Sequence, residues 1–561
     1  MHKILNIAAA TPHEQKTIAR ELGISELVAQ LLINRGMRTP QQADRFLNVS
    51  LRDLLDPFSF REMPLAVNYI KKAIKQKHRI MVFGDYDVDG VTALAVLQET
   101  LTELGADVIH YIPHRVKEGY GLSANILTIA QDRGVRLLIT ADCGTNSTRQ
   151  ITQLRRHGIE VIVTDHHEPA ENAGPEYASA MINPKCANSG YGFRDLAGVG
   201  VAYKLCQALT AKPMERELEL VCLGTIADSV PLVSENRVIA KAGLAQIPQT
   251  RRLGLVTLME ASGLKNKEIS PEYVSFILGP RINASGRLDS AETALELLLT
   301  RDPQEAGQLA KTVEGYNRQR QKIESRIMEE AQELVNLEVN FKEHNVMVVA
   351  KEGWHLGVLG IVASKLADRF YRPAILISLE KGLCRGSGRS IKNFHLFQGL
   401  SECSHLLDTF GGHSHAVGMV IPQDNIAEFK RHINQFAKSV LDFNDLIPSL
   451  DVDMEIGLKD LDAGVIKAIE VLAPFGRGNP EPLFLTRNLT LKGVPRLYSR
   501  DTLKFWVSDG SLTYPAIGFG MGALYEGVVN SRAMDLVYKP KIDSWQGRDS
   551  LVLEIEEVFL K

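Results

Sequence analysis

The segment Ile80-Met-Val-Phe-Gly84-Asp85-Tyr-Asp87-Val-Asp89-Gly90 joins an apolar run to three carboxylates spaced two residues apart. It continues into Val91-Thr-Ala-Leu-Ala-Val-Leu97, whose apolar residues have helical spacing. This order is typical of a strand, a polar turn and the start of a helix. In parallel α/β sheets, sites lie beyond the carboxyl ends of strands, and carboxylate oxygens suit Mg²⁺ or Mn²⁺. A solvated acidic turn is the alternative, since Asp and Gly are common turn residues.

The same arrangement recurs along the chain. Two further strand-like runs end in Asp142 and in Asp165-His166-His167, and an apolar stretch of undecided type ends in Asp228. Neighbouring parallel strands lie about 4.8 Å apart, so their ends can converge on one pocket. Several carboxylates in one pocket would repel each other unless cations lay between them. The sequence therefore predicts a metal site with two metals.

Length and composition indicate a protein of several domains. The chain has 561 residues, 45% of them hydrophobic, and a formal charge of −3. This charge gives no overall nucleic-acid signal, although basic residues can be clustered locally. The six cysteines form no Cys-x-x-Cys pair, which favours reduced thiols over a zinc site or disulfides. The N-terminal apolar run is too short and interrupted for a spanning helix, so we expect a soluble, cytoplasmic protein.

The order of helix-like and strand-like segments predicts an α/β fold with two α/β domains joined by a long helix, followed by a β-barrel. We expect a helical segment at 1–50, an α/β domain with a doubly wound parallel sheet at 51–300, a connecting helix at 301–340, a second α/β domain at 341–445 and a barrel at 446–561. The connecting helix is amphipathic between Gln304 and Leu337. The N-terminal helices are expected to cap the next domain, with a DNA-reading helix-turn-helix as the alternative.

Four polar segments are candidates for binding phosphate. They are His114–Gly121 with Arg115 and Tyr120, a predicted loop at Leu278–Leu288 with Arg281 and Arg287, a predicted turn at Cys384–Ser390 with Ser387 and Arg389, and a glycine loop at Phe410–Gly418 with His413 and His415. Arginines and the backbone N–H groups of such turns can bind phosphate. Solvated side chains on a surface turn are the alternative for the last three segments.

The last region predicts short strands that form a five-stranded barrel of the OB type. Such barrels often bind single-stranded nucleic acid by stacking bases on aromatic side chains beside basic residues. Candidate contacts are Tyr498, Arg500, Phe505, Trp506, Tyr538, Lys539, Lys541 and Trp545. Packing inside the barrel is the alternative for half of the aromatic residues.

The Asp-x-Asp-x-Asp-Gly turn, Asp142, Asp165-His166-His167 and Asp228 together resemble the four motifs of the DHH phosphoesterase superfamily. Gly386-Ser387-Gly388-Arg389 and Gly411-Gly412-His413 resemble its associated DHHA1 domain. With Pro280–Arg287 and an OB-like barrel, the chain resembles the single-strand-specific exonucleases of this superfamily. The resemblance implies DHH and DHHA1 domains, and 5′→3′ hydrolysis of single-stranded DNA to 5′ mononucleotides in DNA repair and recombination.

The resemblance also implies roles for individual residues. Asp87, Asp89, Asp142, His166 and Asp228 would bind two Mn²⁺ or Mg²⁺ ions, with Asp142 bridging them and Asp85 acting as a ligand or as the partner of one. Asp165 would orient the histidines, and His167 would face the scissile phosphate. Arg281, Ser387 and Arg389 would hold the terminal 5′ phosphate, with Arg115 and His413 as further substrate contacts. Many members have a metal-binding histidine where this chain has Phe83, so we expect a weaker hold on one metal or a compensating role for Asp85.

Two other functions stay open at this point. One is a phosphodiesterase of short oligonucleotides or cyclic dinucleotides, against which the long chain and the barrel argue. The other is a DNA-binding replication scaffold without activity, which the near-complete acidic set disfavours. The resemblance implies single-stranded DNA with a 5′ end as substrate, a single-strand-binding protein and a RecQ-type helicase as partners, no membrane, and a monomer.

Overall fold

The computed structural model describes residues 3–171, 173–498, 501–545 and 548–561. These residues divide into two units. One unit joins the chain up to Asp53 with Pro231–Lys241 and Pro448–Lys561, and the other consists of Leu54–Val230 and Ala242–Ile447.

The N-terminal segment contains the predicted helices and one strand that was not predicted. Its elements are β1 (Ile4–Ile7), α1 (Pro12–Leu22), α2 (Glu26–Asn34) and α3 (Pro40–Leu47). The Ser25 hydroxyl caps α2, and Thr39 and Gln42 form a capping box at α3. Strand β1 pairs in parallel with the segment Ser449–Val452.

The first α/β domain has the predicted doubly wound sheet of five parallel strands. Its strands are β2 (Arg79–Gly84), β3 (Val108–Tyr111), β4 (Val135–Ala141), β5 (Glu160–Thr164) and β6 (Ala180–Ile182), in the order β3-β2-β4-β5-β6. Its helices are α4 (Met63–Lys75), α5 (Val88–Glu103), α6 (Ile126–Asp132), α7 (Thr148–Arg156), α8 (Gly198–Thr210) and α9 (Leu218–Ala227). The chain passes from β2 to β3 on one side and returns to β4 on the other. The carboxyl ends of β2 and β4 therefore lie at the point where strand order reverses, which is where α/β sheets bind ligands.

The region from 278 to 288 is helical, so the predicted loop is wrong. The helices that follow α9 are α10 (Ser234–Gln246), α11 (Leu253–Ala261), α12 (Pro271–Tyr273), α13 (Gly279–Leu288), α14 (Glu292–Leu299) and α15 (Pro303–Glu338). A π-helical turn at Val274–Leu278 leads into α13. The glycines serve close packing instead of a chain turn, because a Cβ on Gly286 would lie 2.5 Å from the backbone oxygen of Tyr86.

Helix α15 confirms the predicted long connection. The Asp302 carboxylate accepts hydrogen bonds from the backbone N–H groups of Gln304 and Glu305 and so caps it. Its buried face is partly polar and includes Asn317, Arg320 and Glu324. Arg320 donates a hydrogen bond of 2.6 Å to Glu324, so the buried charges are paired.

In the second α/β domain, the arginine-rich segment is a strand and not the predicted turn. The strands are β7 (Met347–Glu352), β8 (Ala374–Leu379), β9 (Leu383–Arg389), β10 (Thr409–Gly412) and β11 (Ala416–Pro422), and the helices are α16 (Leu356–Phe370), α17 (Leu396–Glu402) and α18 (Ile426–Val440). Strand β9 lies between β8 and β11, so its backbone groups pair within the sheet. A Cβ on Gly388 would lie 2.9 Å from side-chain atoms of Leu396 and Val417, which is why this position is glycine. Alternation along the strand puts Arg385, Ser387 and Arg389 on one face.

The C-terminal region forms the predicted five-stranded barrel. Its elements are β12 (Ser449–Val452), β13 (Met454–Glu455), α19 (Ala463–Glu470), β14 (Phe484–Tyr498), β15 (Thr502–Ser508), β16 (Thr513–Gly518), α20 (Tyr525–Asn530), β17 (Met534–Trp545) and β18 (Arg548–Leu560). Strands β14 to β18 form a closed ring, because β14 pairs with both β15 and β17. Phe505 and Tyr538 are buried in its core, as expected for half of the aromatic residues.

The N-terminal helices share a core with this barrel. Leu31 of α2 and Phe46 of α3 belong to the same buried cluster as Phe484 and Phe505. The buried guanidinium of Arg237 donates hydrogen bonds to backbone oxygens on both sides, at 2.8 Å to Phe46 and 2.9 Å to Leu472. The predicted cap on the following domain is therefore wrong, since the apolar faces of these short helices are covered by a distant part of the chain.

A buried ion-pair cluster joins two helices of the first α/β domain. The Arg252 guanidinium donates two hydrogen bonds, of 2.7 and 2.9 Å, to the Glu99 carboxylate on α5. Its Nε donates a third, of 2.9 Å, to Glu219 on α9, and Nη1 also reaches the oxygen of Leu298. The Arg252 side chain is only 5% exposed, so its charge is compensated almost entirely by these contacts.

Replacing Arg252 by Met should destabilise the protein. It leaves two buried carboxylates without their cation, which costs about 3–5 kcal/mol in comparable cases. The measurement is the free energy of unfolding in urea. Arg251→Met is the matched control, because Arg251 is exposed and a change there should stay within about 0.5 kcal/mol. Equal stability of the two variants would contradict the role given to Arg252.

Candidate metal centre

The first acidic turn is positioned by the junction between β2 and α5. Strand β2 ends at Gly84, and the Asp87 carboxylate caps α5 by accepting a hydrogen bond of 3.2 Å from the N–H of Gly90. Gly90 is required by space, because a Cβ there would lie 2.6 Å from the Cβ of Asp85. Asp85 and Asp89 are buried and Asp87 is half-buried. The turn therefore holds three carboxylates in a position that is largely out of solvent.

Asp142 and the start of α8 close the pocket from the next strand. Asp142 follows β4 with a φ of 63°, a left-handed conformation that aspartate tolerates better than most residues. A Cβ on Gly198 would lie 2.3 Å from its Oδ1, so α8 begins directly against this carboxylate. The Asp89 carboxylate accepts hydrogen bonds of 2.7 and 2.8 Å from the N–H groups of Gly198 and Val199. Helix α8 therefore begins in close contact with both Asp89 and Asp142.

His166 lies among the carboxylates. Its Nε2 is 3.2 Å from Asp142 Oδ1, 3.6 Å from Asp228 Oδ2 and 3.8 Å from Asp89 Oδ2. Burial and the positive charge of His167 lower the pKa of His166 to about 3. The ring is therefore neutral at pH 7 and has a lone pair available for a metal.

Four carboxylates of this pocket have raised pKa values, because they are buried and repel one another. Burial, followed by the charges of the neighbouring aspartates, raises the pKa values of Asp85, Asp142 and Asp228 well above their usual range. The same causes raise the pKa of Asp89 to about 7. Carboxylates shift in this way when like charges share a site that water does not screen.

The donor set fits divalent cations. Oδ1 of Asp85, Oδ1 of Asp142 and Nδ1 of His166 are buried and have no hydrogen-bond partner within the described residues. Three groups have ligand atoms within 4.8 Å of one another, namely Asp85/Asp87/Asp142, Asp89/His166/Asp228 and Asp142/His166/His167. Unpaired buried oxygen donors with an imidazole suit Mg²⁺ or Mn²⁺. Asp142 belongs to two of these groups, which is the position that a bridging ligand would occupy.

His167 forms a hydrogen-bonded unit with Asp165 and Tyr120. Its Nδ1 lies 2.7 Å from Asp165 Oδ1 and 2.9 Å from the Tyr120 hydroxyl. Asp165 is held by the N–H groups of Thr145 and His166. Burial alone would lower the pKa of His167, but the charge of Asp165 outweighs it and raises the pKa to about 9. His167 is therefore a cation at pH 7, unlike His166 beside it.

Phe83 contributes no ligand to the pocket. Its side chain is fully buried in the apolar cluster on one face of the sheet, 5.6 Å from the ring of Tyr111. The unpaired Asp85 Oδ1 is available as an additional ligand instead.

Three arginines gather next to the acidic turn, and Arg281 is not among them. Arg115 lies 4.8 Å above the ring of Tyr86, and Arg287 donates a hydrogen bond of 3.1 Å to the backbone oxygen of Gly357. Burial and then Arg115 lower the pKa values of Arg287, to about 9, and of Arg389. Arg389 donates a hydrogen bond of 3.4 Å to Ser387.

The predicted phosphate contact Arg281 is engaged elsewhere. Its Nε donates a hydrogen bond of 2.7 Å to Glu314 of α15, and Nη1 bonds the oxygen of Ile277. Since the region is helical, the six residues from Arg281 to Arg287 span about one and two-thirds turns, so the two side chains point about 120° apart around the helix axis. A loop interpretation could not make this distinction.

Two further residues border the metal-ligand group. The ring of His413, in the turn between β10 and β11, is 6.4 Å from the ring of His167. Lys185 was not predicted from the sequence. Its positive charge contributes to lowering the pKa values of His166, Asp228 and His413. Lys185 follows β6, so the rule that sites lie at strand ends could have identified it.

The basic residues on the barrel fall into two groups. Lys539 and Lys541 form ion pairs with Glu481, and Lys539 also pairs with Glu556. By contrast, Trp506 is 48% exposed and lies opposite Lys492 on β14, while Lys504 lies opposite Arg496. Tyr498 is also exposed, and Arg500 lies outside the described residues. The outer face of β14 and β15 therefore combines aromatic and basic side chains.

Comparisons with known proteins place these features in context. The family models that match are the DHH family N-terminal domain at residues 79–225, the DHHA1 domain at 343–439 and the RecJ OB domain at 452–557. The single-stranded-DNA-specific exonuclease RecJ of Bacillus subtilis is 41% identical over 547 residues, which cover 97% of this chain and 69% of that protein.

Solved structures show the same likeness. The crystal structure of RecJ from Thermus thermophilus in complex with Mn²⁺ matches with a TM-score of 0.86 and 27% identity, over 100% of this chain and 80% of that one. The complex of the same protein with Mg²⁺ matches with a TM-score of 0.79, over 99% and 78% of the two chains. Among the helices that the structure describes, none is long and apolar enough to cross a membrane.

In the absence of divalent metal, the stability of the protein should fall as the pH rises from 7 to 9. The pKa values of His167 (about 9) and Asp89 (about 7) lie above their unfolded values, so the folded state holds more protons in this window. His166 has the opposite effect only near and below its unfolded pKa of about 6.5. Thermal unfolding in EDTA and in Mg²⁺ tests this, and Mg²⁺ should reduce the loss. Constant or rising stability in EDTA would contradict it.

Proposed function

This chain belongs to the RecJ family of single-stranded-DNA-specific exonucleases, and on that premise we propose that it hydrolyses single-stranded DNA from the 5′ end and releases 5′ mononucleotides. Two Mn²⁺ or Mg²⁺ ions would serve the reaction. The observation that carries the proposal is the set of overlapping ligand groups around Asp142 and His166. Within these groups, Asp85 Oδ1, Asp142 Oδ1 and His166 Nδ1 are buried without a hydrogen-bond partner among the described residues. A chain that had lost activity would not be expected to keep this strained arrangement.

The residues of the chain have distinct tasks in this proposal. Asp85, Asp87, Asp89, Asp142, His166 and Asp228 would hold the ions, with Asp142 between them. When bound, the ions neutralise the phosphate, lower the pKa of a water molecule and stabilise the leaving oxygen. The start of α8 fixes Asp89 and Asp142 in place.

His167 would contact the scissile phosphate as a cation. Asp165 and Tyr120 fix its ring, and the pKa of about 9 keeps it protonated at pH 7. A positive group in that position complements the charge that develops on the phosphate oxygens.

The direction of digestion would come from the arginine group. We assign the terminal 5′ phosphate to Arg115, Arg287 and Arg389, with Ser387 as a hydroxyl donor, and we give Arg281 a structural role through Glu314. Burial and the charge of Arg115 lower the pKa values of Arg287 and Arg389, so a dianion bound among the three guanidinium groups would offset their repulsion. A 5′ phosphate bound there would determine which linkage reaches the metals.

The second α/β domain and the barrel would handle the rest of the strand. His413 lies beside His167, so DNA would pass between the carboxylates and the β10–β11 hairpin, which favours a flexible single strand over a duplex. On the barrel, Trp506 and Tyr498 would stack on bases, with Lys492, Arg496 and Lys504 near the backbone. Lys539 and Lys541 would contribute less, because Glu481 already pairs with both.

The wider setting is proposed on the family and on the cysteines. We propose a monomer in the cytoplasm, acting in DNA repair and recombination, with a single-strand-binding protein and a RecQ-type helicase as partners. None of the six cysteines, all of which lie within the described residues, forms a disulfide, which is typical of a reducing compartment. The five-part domain division at 50, 300, 340 and 445 also remains our proposal.

Asp142→Asn should abolish digestion of a 5′-labelled single strand in Mn²⁺. It removes the charge from the carboxylate that belongs to two ligand groups, so a loss of about a thousandfold or more is expected. Release of labelled mononucleotide is the measurement. Asp132→Asn, on the exposed end of α6, is the matched control and should retain activity. Full activity of Asp142→Asn would remove the basis of the metal assignment.

Arg287→Ala and Arg281→Ala should distinguish the proposed phosphate-binding role of Arg287 from the structural role of Arg281. Arg287→Ala should reduce the preference for a 5′-phosphorylated strand over a 5′-hydroxyl strand by about tenfold, since it loses a charge-assisted contact. Arg281→Ala should keep the preference and lower stability through Glu314. The measurement is the ratio of initial rates on the two strands. The reverse pattern would return the phosphate contact to Arg281.

A further inference from the structure

A second cavity lies at the far end of the helices that carry the metal-site aspartates. It has a volume of about 850 Å³ and includes Glu99 and Glu219 in its wall. Asp89 is ten residues before Glu99 on α5, which is about 15 Å along the helix. Glu219 lies in the first turn of α9, and Asp228 follows the end of that helix. The cavity is therefore separate from the metal centre and connected to it by two helices.

The cavity has excess positive charge. Four arginines line it against the two glutamates, which leaves two positive charges. The lining arginines are Arg216, Arg251, Arg252 and Arg301. Arg252 is fully engaged by Glu99 and Glu219. Arg216 has only long contacts, at 3.8 Å to Glu99 and 3.5 Å to Glu103.

Arg251 and Arg301 are the cations available to a ligand. Both are exposed, and neither has an ion-pair partner within the described residues. They come from different elements, Arg251 just before α11 and Arg301 just after α14. Two guanidinium groups that face one cavity without a carboxylate partner are suited to a phosphate group.

The remainder of the wall suits a planar, partly apolar group. Leu253, Leu298 and Leu299 supply apolar surface, and Gln246 and Gln249 supply amides that can both donate and accept hydrogen bonds. A volume of this size is within the range of about 300–1,000 Å³ found for small-ligand sites.

We propose that this cavity binds a nucleoside monophosphate. A terminal phosphate carries a charge of about −1.5 to −2 at pH 7, which matches the excess charge of the wall, whereas a backbone phosphodiester carries only one. The phosphate lies between Arg251 and Arg301, and the base lies against the leucines with its edge at Gln246 and Gln249. The site does not depend on the proposed nuclease activity, although that activity would release this class of molecule.

A ligand in this cavity would affect the metal centre through Arg252. This residue forms part of the cavity wall and fastens the end of α5 to the start of α9. A phosphate beside it competes with Glu99 and Glu219 for its guanidinium. The ligand thereby acts on the two helices whose other ends carry Asp89 and Asp228.

Photolabelling of the full chain with 8-azido-2′-deoxyadenosine 5′-monophosphate tests the proposal. The experiment is done in EDTA, so that it does not depend on bound metal or on hydrolysis. Peptide mapping should find label at residues 245–253 and 298–301, distinct from any label around Arg287 and Arg389. Unlabelled dAMP should compete for it.

The double variant Arg251→Ala/Arg301→Ala should weaken this labelling about tenfold or more, because two charge-assisted contacts are lost. Arg156→Ala/Arg369→Ala removes two exposed arginines elsewhere and should label as the wild type does. Absence of label from these peptides, or equal labelling of the two double variants, would overturn the proposal. Competition by a 5′-hydroxyl oligonucleotide as strong as that by dAMP would also overturn it, since the site would then be a contact for a DNA strand.

Discussion

The main physical constraint on this structure is the mutual repulsion of the carboxylates that the fold holds close together, largely out of solvent. Asp85 and Asp89 come from one turn, and Asp142 and Asp228 come from two other chain segments. Burial deprives all four of much of the water that would screen their charges. Such an arrangement raises the free energy of the folded protein unless protons or cations offset it. The metal requirement of the proposed reaction and the expected pH dependence both arise from this one constraint.

The surrounding elements hold the carboxylates in place despite their repulsion. The order β3-β2-β4 places two strand ends side by side, and the first turn of α8 donates backbone N–H groups to Asp89. The carboxylates therefore have fixed positions before any ion arrives. Next to them, Asp165 keeps His167 charged while His166 stays neutral, so two adjacent histidines have opposite roles. Positive charge is concentrated a short distance away, where Arg115, Arg287 and Arg389 meet.

Most of the metal centre could be predicted from the sequence, because the ends of its strands can be recognised from the change from apolar to polar residues. The acidic turn after β2, Asp142 after β4 and Asp165 after β5 are local signals, and parallel pairing brings them together without further information. The barrel and the helix α15 also follow from periodicity and from the spacing of turns.

The errors concern glycine and long-range contacts. In α13 and β9, glycines were interpreted as turns, whereas Gly286 and Gly388 make room for neighbouring atoms inside regular elements. That misreading gave Arg281 and Arg287 equivalent positions, and only the helix separates them. Lys185 follows the end of β6 and could have been identified from that position, whereas Lys492 stands in no distinctive local pattern. The core partner of the N-terminal helices lies more than 400 residues away and leaves no trace in their own sequence.

This last feature has a consequence for how the chain is made. Helices α1–α3 leave the ribosome before the barrel strands, and Leu31 and Phe46 find their apolar partners only when those strands have been synthesised. During that interval the apolar faces of these helices are exposed to other molecules. Nascent chains aggregate or recruit chaperones in this situation. Closing a loop of this length also makes the pairing of β1 with β12 a late event on the folding pathway.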